Sequence, residues 1–441
     1  MRFTYKQIWF IAYPILFSLL MEHMIGMTDT AFLGRVGEVE LGASALAGVY
    51  YLAIFMLGFG FSMGVQILIG RRNGEGRYRD IGSIFTQGLL FLVGLAAIIF
   101  TISQIWSPNI LRMLIESDNV YAATVKYMNW RVYGFFFSFS ALMFRAFYVG
   151  TANTKTLTLN SIVMVSTNVV LNYILIFGKF GFPALGIAGA AIASSIAELV
   201  SLIFFVVYTC IRIDRKKYNL FGSFRFEPGL LKQVLGISVW TMMQAFISLS
   251  TWFLFFIAVE HLGERPLAIT NILRNISSLF FIIVSAFATT TGSLISNLIG
   301  AGEQKQVLKA CKRVICLCYM LVIPLIVLMM FFPSAILRIY TDNTSLIADS
   351  ITPFFVMISV YFLSVPANIL FNAVSGTGNT RSALAMELIA LAVYVFSVFY
   401  IVVHLKASLP FCWTTEFVYL TMMLILSYLY MTRGNWQNKK I

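Results

Sequence analysis

Charge is scarce in this sequence. Asp, Glu, Lys and Arg together make up 11% of its 441 residues, against 59% hydrophobic. No stretch has the mixed polar composition of a water-soluble domain, and the longest polar run, Ile211 to Lys232, is about as long as a loop. A separate catalytic domain is therefore not expected. Histidine is scarcer still: His23, His261 and His404 are scattered, and no Ser-His-Asp arrangement can be argued from them. Gly74-Glu75-Gly76 lacks the Lys-Ser/Thr ending of a phosphate-binding loop, so ATP-driven pumping would need a nucleotide domain on another chain. The five cysteines (Cys210, Cys311, Cys316, Cys318, Cys412) are odd in number and sit in or beside apolar segments. Cys316 and Cys318 are too close for an ordinary zinc pair and read as small core residues. These absences predict a protein that is not an enzyme and carries no cofactor.

What is present is apolar sequence from end to end. A hydrocarbon slab of roughly 30 Å takes about 20 apolar residues per helix, and backbone groups inside it must pair within the segment. The expectation is an all-α polytopic membrane protein. Hydropathy, with Gly, Pro and charge as punctuation, predicts twelve spans at about 9–33, 44–69, 85–106, 128–150, 157–178, 185–210, 237–259, 267–298, 311–332, 351–375, 383–404 and 410–431. Met1 to Gln7 lead straight into the first span without a small-residue cleavage site, so that span reads as helix and not as a removable signal.

The net charge of +13 has a direction. Most Lys and Arg fall on the side predicted to hold both termini, in the clusters Arg71, Arg72, Arg77, Arg79; Arg212, Arg215, Lys216, Lys217; and Lys305, Lys309, Lys312, Arg313. By the positive-inside rule that side is cytoplasmic. The charge is thus a topology signal, and the partners expected are the lipid bilayer and small organic substrates, not nucleic acid. A monomer in the bacterial inner membrane is the expected state.

One constant shift of 226 residues aligns separated landmarks without a gap. Lys6-Gln7 falls on Lys232-Gln233, Gly37-Glu38 on Gly263-Glu264, Gly74 and Gly76 on Gly300 and Gly302, and Gly150 to Lys155 on Gly376 to Arg381. Such register marks an internal duplication. It divides the chain into a six-helix bundle at 1–215, a cytoplasmic linker at 216–232 and a second six-helix bundle at 233–441. Six spans per repeat make the two bundles pseudo-symmetric about an axis along the membrane normal, an arrangement that recurs in carriers working by alternating access.

The landmarks resemble the multidrug and toxic compound extrusion family over nearly the whole chain. The resemblance rests on Pro14, the run Thr28 to Gly37, Gln66 to Gly70 with Gly74, Gly150 to Lys155, Asn168 to Tyr173, Leu185 to Ala193, and their second-half counterparts, with Asn271 to Asn275 opening helix 8. It implies twelve helices in two bundles, a V-shaped central cavity, and antiport of organic, often cationic, compounds against protons or sodium. A related fold carries the alternative, a flippase or exporter of lipid-linked or anionic precursors, which calls for a cavity rich in Arg and Lys.

A charge in hydrocarbon is costly, so each mid-span carboxylate is a functional candidate. Glu22 and Asp29 lie seven residues apart, two turns along one face of helix 1. One carboxylate cannot hold a proton and a cation together, and that competition is the kernel of antiport. The resemblance assigns Asp29 the coupling role. Asn168 and Asn172, four apart on helix 5, can donate to Asp29 or offer oxygen to a cation, so Asp29, Asn168 and Asn172 form a candidate Na⁺ site. The family's second-half acids are missing: helix 7 reads Met243-Gln244-Ala245-Phe246, and Asn379 stands where the sodium-coupled branch has an aspartate. Glu198 and Glu387 either line the substrate cavity with Asn275, Gln244 and Gln66 or sit in structural ion pairs. Arg145 and Arg274 read as structural. The 41 Phe, 20 Tyr and 20 Met suit a drug pocket in general, although Phe135 to Phe139 and Tyr361 to Phe371 read as packing.

Overall fold

The computed structural model describes residues 3–115, 117–222 and 224–437. These residues form helices and no strands, as lipid requires of a chain that cannot leave backbone groups unpaired. The first repeat comprises α1 (Tyr5–Leu33), α2 (Glu38–Gly74), α3 (Tyr78–Leu114), α4 (Asp118–Arg131), α5 (Gly134–Gly150), α6 (Lys155–Phe177) and α7 (Ile187–Arg212). A short α8 (Arg215–Tyr218) precedes the second repeat, which comprises α9 (Pro228–Glu260), α10 (Glu264–Gly300), α11 (Val307–Phe331), α12 (Pro333–Leu337), α13 (Thr344–Gly376), α14 (Thr380–Val398), α15 (Leu409–Trp413) and α16 (Thr415–Arg433). Among the described residues eleven helical spans are long and apolar enough to cross a bilayer, and the bent pair of α4 and α5 makes a twelfth.

Each of the twelve expected spans has its helix, and several run past the apolar stretch that signalled them. The third, expected from about 85, begins at Tyr78, and the eighth continues to Gly300. Those extra turns carry Arg, Asp and Asn, which hydropathy discounts but an α-helix accepts. The fourth span departs from expectation. It is two helices meeting at 49° around Val132 and Tyr133. Pro14, by contrast, lies within the uninterrupted α1.

Packing separates the chain into two units, Phe17–Met242 and Met1–Leu16 with Met243–Ile441. In the first, Phe61, Phe85, Phe135, Phe139, Phe147 and Tyr148 are fully buried. The segment after α8 folds against α3 of the same unit. Gln87 Nε2 donates to the Arg225 carbonyl at 2.8 Å, and its Oε1 accepts from the Glu227 amide at 3.1 Å. Gly82 lets this segment in close, since a Cβ there would strike the Tyr218 and Asn219 carbonyls. In the second unit Phe255, Phe280, Phe287 and Phe354 form the largest buried side chains.

Candidate functional site

The unit Phe17–Met242 encloses a cavity of about 540 Å³, within the range of drug-sized pockets. Its walls follow from helical periodicity. On α6, Asn160, Met164 and Asn168 step by four; on α7, Ser194, Glu198, Ser201 and Phe205 step by three or four, with Ala197 beside Glu198. Each set is one stripe of a helix. Helix α1 contributes Ser18, Glu22, Ile25 and Asp29, α2 contributes Tyr51, Phe55 and Phe59, and α5 contributes Ser138, Leu142 and Arg145. The aromatic residues Phe135 and Phe139 stand behind this wall, fully buried.

At one end Asp29 closes a ring of hydrogen bonds. Asn172 Nδ2 donates to Asp29 Oδ1 at 2.5 Å and to Asn168 Oδ1 at 3.0 Å. Asn168 Nδ2 donates to Ser194 Oγ at 3.1 Å, and Ser194 Oγ donates to Asp29 Oδ2 at 3.1 Å. Both asparagines are fully buried. The Asn172 Oδ1 atom is buried without a hydrogen-bond partner. Both carboxylate oxygens are met by neutral donors, and no cation touches them among the described residues. The groups that meet the carboxylate are thus an amide N–H and a hydroxyl, both neutral, and a positive partner has to come from outside the ring.

A second arrangement involves Glu198. Arg131 grips it with both hands, Nη1 to Oε2 at 2.8 Å and Nη2 to Oε1 at 2.7 Å. Tyr51 Oη donates to the same carboxylate at 2.9 Å, while the Tyr51 ring lies 3.6 Å from the guanidinium carbon and stacks on Phe135 at 4.5 Å. Gly134 makes room for the pair, since a Cβ there would collide with Arg131 Nη1 and Glu198 Oε2. The bend between α4 and α5 thus falls where a glycine lets a buried ion pair nest. Of the two readings of Glu198, the ion pair describes its contacts, although it also lines the cavity.

The opposite end holds Glu22 and Arg145. Arg145 Nη1 lies 3.2 Å from Glu22 Oε1, which also accepts from Ser18 Oγ at 3.2 Å; Ser161 Oγ donates to Ser18 at 2.9 Å. Ser201 Oγ donates to Asn160 Oδ1 at 3.0 Å. Glu22 is not in the Asp29 ring, and a rise of 1.5 Å per residue separates the two carboxylates by roughly 10 Å. The four residues expected to couple thus divide, with Asp29, Asn168 and Asn172 brought together and Glu22 apart.

The remaining candidates line no part of this cavity. Gln66 is buried within α2. Gln244 is half-buried on α9, and Asn275 is exposed and donates to the Asn271 carbonyl. Glu387, buried in the other unit, accepts from Ser248 Oγ at 2.7 Å and Tyr419 Oη at 2.8 Å and is in no ion pair among the described residues. Arg274 rests against the Phe256 ring at 4.9 Å and the Trp252 ring at 5.7 Å. Sequence reasoning missed Ser194, Arg131 and Tyr51. The signal for Ser194 was its spacing four before Glu198 on one helix face; that for Arg131 was obscured by its place three residues inside an expected span.

Comparison with known proteins gives a consistent answer. The profile of the family described as MatE matches residues 14–174 and 241–401, once in each repeat. A protein of Idiomarina loihiensis named "Probable multidrug resistance protein NorM" is 26% identical over 68% of this chain, an alignment that spans 65% of that protein. The protein of the same name in Thermotoga maritima is 22% identical over 99% of this chain and 94% of its own length. Among solved structures, one described as a multidrug resistance MATE family transporter of the MOP superfamily superposes with a TM-score of 0.89 at 17% identity, covering 99% of this chain and 97% of the other. A eukaryotic MATE transporter, AtDTX14, gives 0.84 at 16% identity over 98% and 96%.

Proposed function

The chain belongs to the MatE family, whose solved members are transporters and not enzymes, and from that membership we propose that it is a secondary active antiporter of the bacterial inner membrane, both termini cytoplasmic. It exports organic, drug-like compounds against protons or sodium by alternating access. The observation that carries this reading is the Asp29 ring. A carboxylate held by neutral donors beside a drug-sized cavity can accept a proton, a sodium ion or the cationic group of a substrate, and only one of them at a time. Exchange at that one group is antiport. Sodium requires hard oxygen ligands, and the Asn168 and Asn172 amides, which here donate through Nδ2, would supply them by turning Oδ1 towards the ion beside Ser194 Oγ. Three carboxylates face the cavity against two arginines, a balance unlike the cationic pocket that a lipid-linked pyrophosphate calls for.

The test is efflux of a cationic dye from proteoliposomes with pH and sodium gradients imposed separately. One of the two gradients is expected to drive export, and Asp29→Asn to abolish that drive while the protein still inserts. Export that proceeds at full rate in Asp29→Asn, or that neither gradient drives, defeats the proposal.

A further inference from the structure

The segment that joins the two repeats is more ordered than a tether needs to be. Two of its residues have left-handed backbones, Asn219 at φ 50° and Phe221 at φ 60°. Asparagine tolerates that region, but phenylalanine enters it only where its surroundings hold it there. The Phe221 ring lies 6.2 Å from Phe85 on α3 and 6.3 Å from Phe144 on α5. Further along, Gln87 Nε2 donates to the Arg225 carbonyl while its Oε1 accepts from the Glu227 amide, the pattern by which a neighbouring strand pins an extended residue. Gln87 stands at the start of the apolar stretch of α3, expected from about residue 85. The clamp therefore fixes this segment at the level where headgroups meet hydrocarbon. At that level Phe224 is 61% exposed and Phe226 58% exposed.

The same segment is cationic. Arg212, Arg215, Lys216, Lys217 and Arg225 are all exposed, and none of them is in an ion pair among the described residues. The acids beside them face the fold. Asp214 Oδ1 accepts from the Lys216 and Lys217 amides and so caps α8, and Glu227 is half-buried. Lys217 Nζ rests over the Tyr78 ring at 4.1 Å and the Tyr218 ring at 5.2 Å, which holds one charge in place. Exposed phenyl rings call for an apolar medium and unmatched cations call for negative charge. The surface of an anionic bilayer meets both at once. We propose that the connector is a docking surface for anionic phospholipid, with headgroup phosphates on Arg215, Lys216 and Arg225 and acyl chains against Phe224 and Phe226. It anchors the start of α3 and the approach to α9 to the leaflet on their own side, whatever compound the protein carries.

The test is native mass spectrometry of the full chain in detergent, titrated with phosphatidylglycerol and, in parallel, with phosphatidylcholine of the same acyl chains. Phosphatidylglycerol is expected to bind about tenfold more tightly. Replacing the three cations together (Arg215→Gln, Lys216→Gln, Arg225→Gln) brings the ratio near one, whereas Phe224→Ser with Phe226→Ser weakens both lipids and leaves the ratio. Soluble glycerol 3-phosphate is expected not to displace the lipid. A ratio near one in the unmodified protein, a ratio that the triple variant leaves unmoved, rings whose loss changes neither affinity, or displacement by glycerol 3-phosphate overturns the inference. The unmodified ratio needs no variant, so poor folding of a variant does not spare it. Cationic-dye efflux reads the antiport proposal alone, and it stands or falls separately from these ratios.

Discussion

The two repeats place a carboxylate and a serine at the same pair of positions and exchange them. In the first repeat Glu22 sits on α1 and is linked through Ser18 to Ser161 on α6. At the equivalent positions of the second, Ser248 on α9 donates to Glu387 on α14 at 2.7 Å. The contact between the first and fifth spans survived the duplication while its acid moved from one helix to the other. Elsewhere the copies parted. Asp29 corresponds to Phe255, which packs against Trp413 with ring centroids 5.4 Å apart, and Asn168 corresponds to Tyr394, whose hydroxyl donates to Glu416. The first repeat lines a cavity with acids, amides and arginines; the second caps its buried acids with phenols. Helix positions are set by packing and lipid, so they persist, whereas polar groups within them can change once the other copy keeps the chemistry.

Breaking that comparison most directly requires a paired experiment. Asp29→Asn is expected to reduce gradient-driven efflux to background, and Glu387→Gln to keep at least about half of the original rate, since only Asp29 faces the cavity. Equal loss in both variants would mean that the second repeat couples as well. The next effect concerns stability. Arg131→Met strands Glu198 and should cost roughly 3–5 kcal/mol, read as a lower melting temperature in detergent, and adding Glu198→Leu should recover most of it. If the single variant melts normally, the ion pair is not what holds α4 to α7. Gly134→Ala forces a Cβ into the same pair and should cost about 1–3 kcal/mol; its repeat equivalent, Val360, already carries a side chain there. Smallest is Ser194→Ala, which removes one neutral donor from Asp29, about 1 kcal/mol, and should change the half-saturating ion concentration several-fold without altering the maximal rate. The matching loss in the second repeat, Tyr419→Phe, should leave ion dependence untouched.

Much of this was legible beforehand. Twelve spans followed from hydropathy because lipid punishes charge wherever a helix crosses it. Asp29, Asn168 and Asn172 were legible as one group, since a mid-span acid needs partners and asparagines four apart share a helix face. The bend at Val132 was not legible, because α4 carries Asp118, Asn119, Lys126 and Asn129 and fell mostly outside the apolar stretch that marked the fourth span, and the turn depends on what packs against Gly134. Serine is common in membrane helices and carries no signal alone, so Ser194 was passed over. Arg131 and Glu416 escaped because each lies within a few residues of an expected span end, where a charge ordinarily meets water.

Arg131 and Glu198 also set a schedule for biogenesis. They lie 67 residues apart in the chain, and at ordinary rates of synthesis the arginine waits about 3 to 13 seconds before its glutamate exists. During that interval an unpaired guanidinium at the break in the fourth span has to remain at the lipid interface. The bend beside it allows α4 to wait there as a separate short helix while α5 is already inserted. On this view the break in the fourth span is a joint that lets the membrane receive a charge late, once the sixth span arrives to neutralise it.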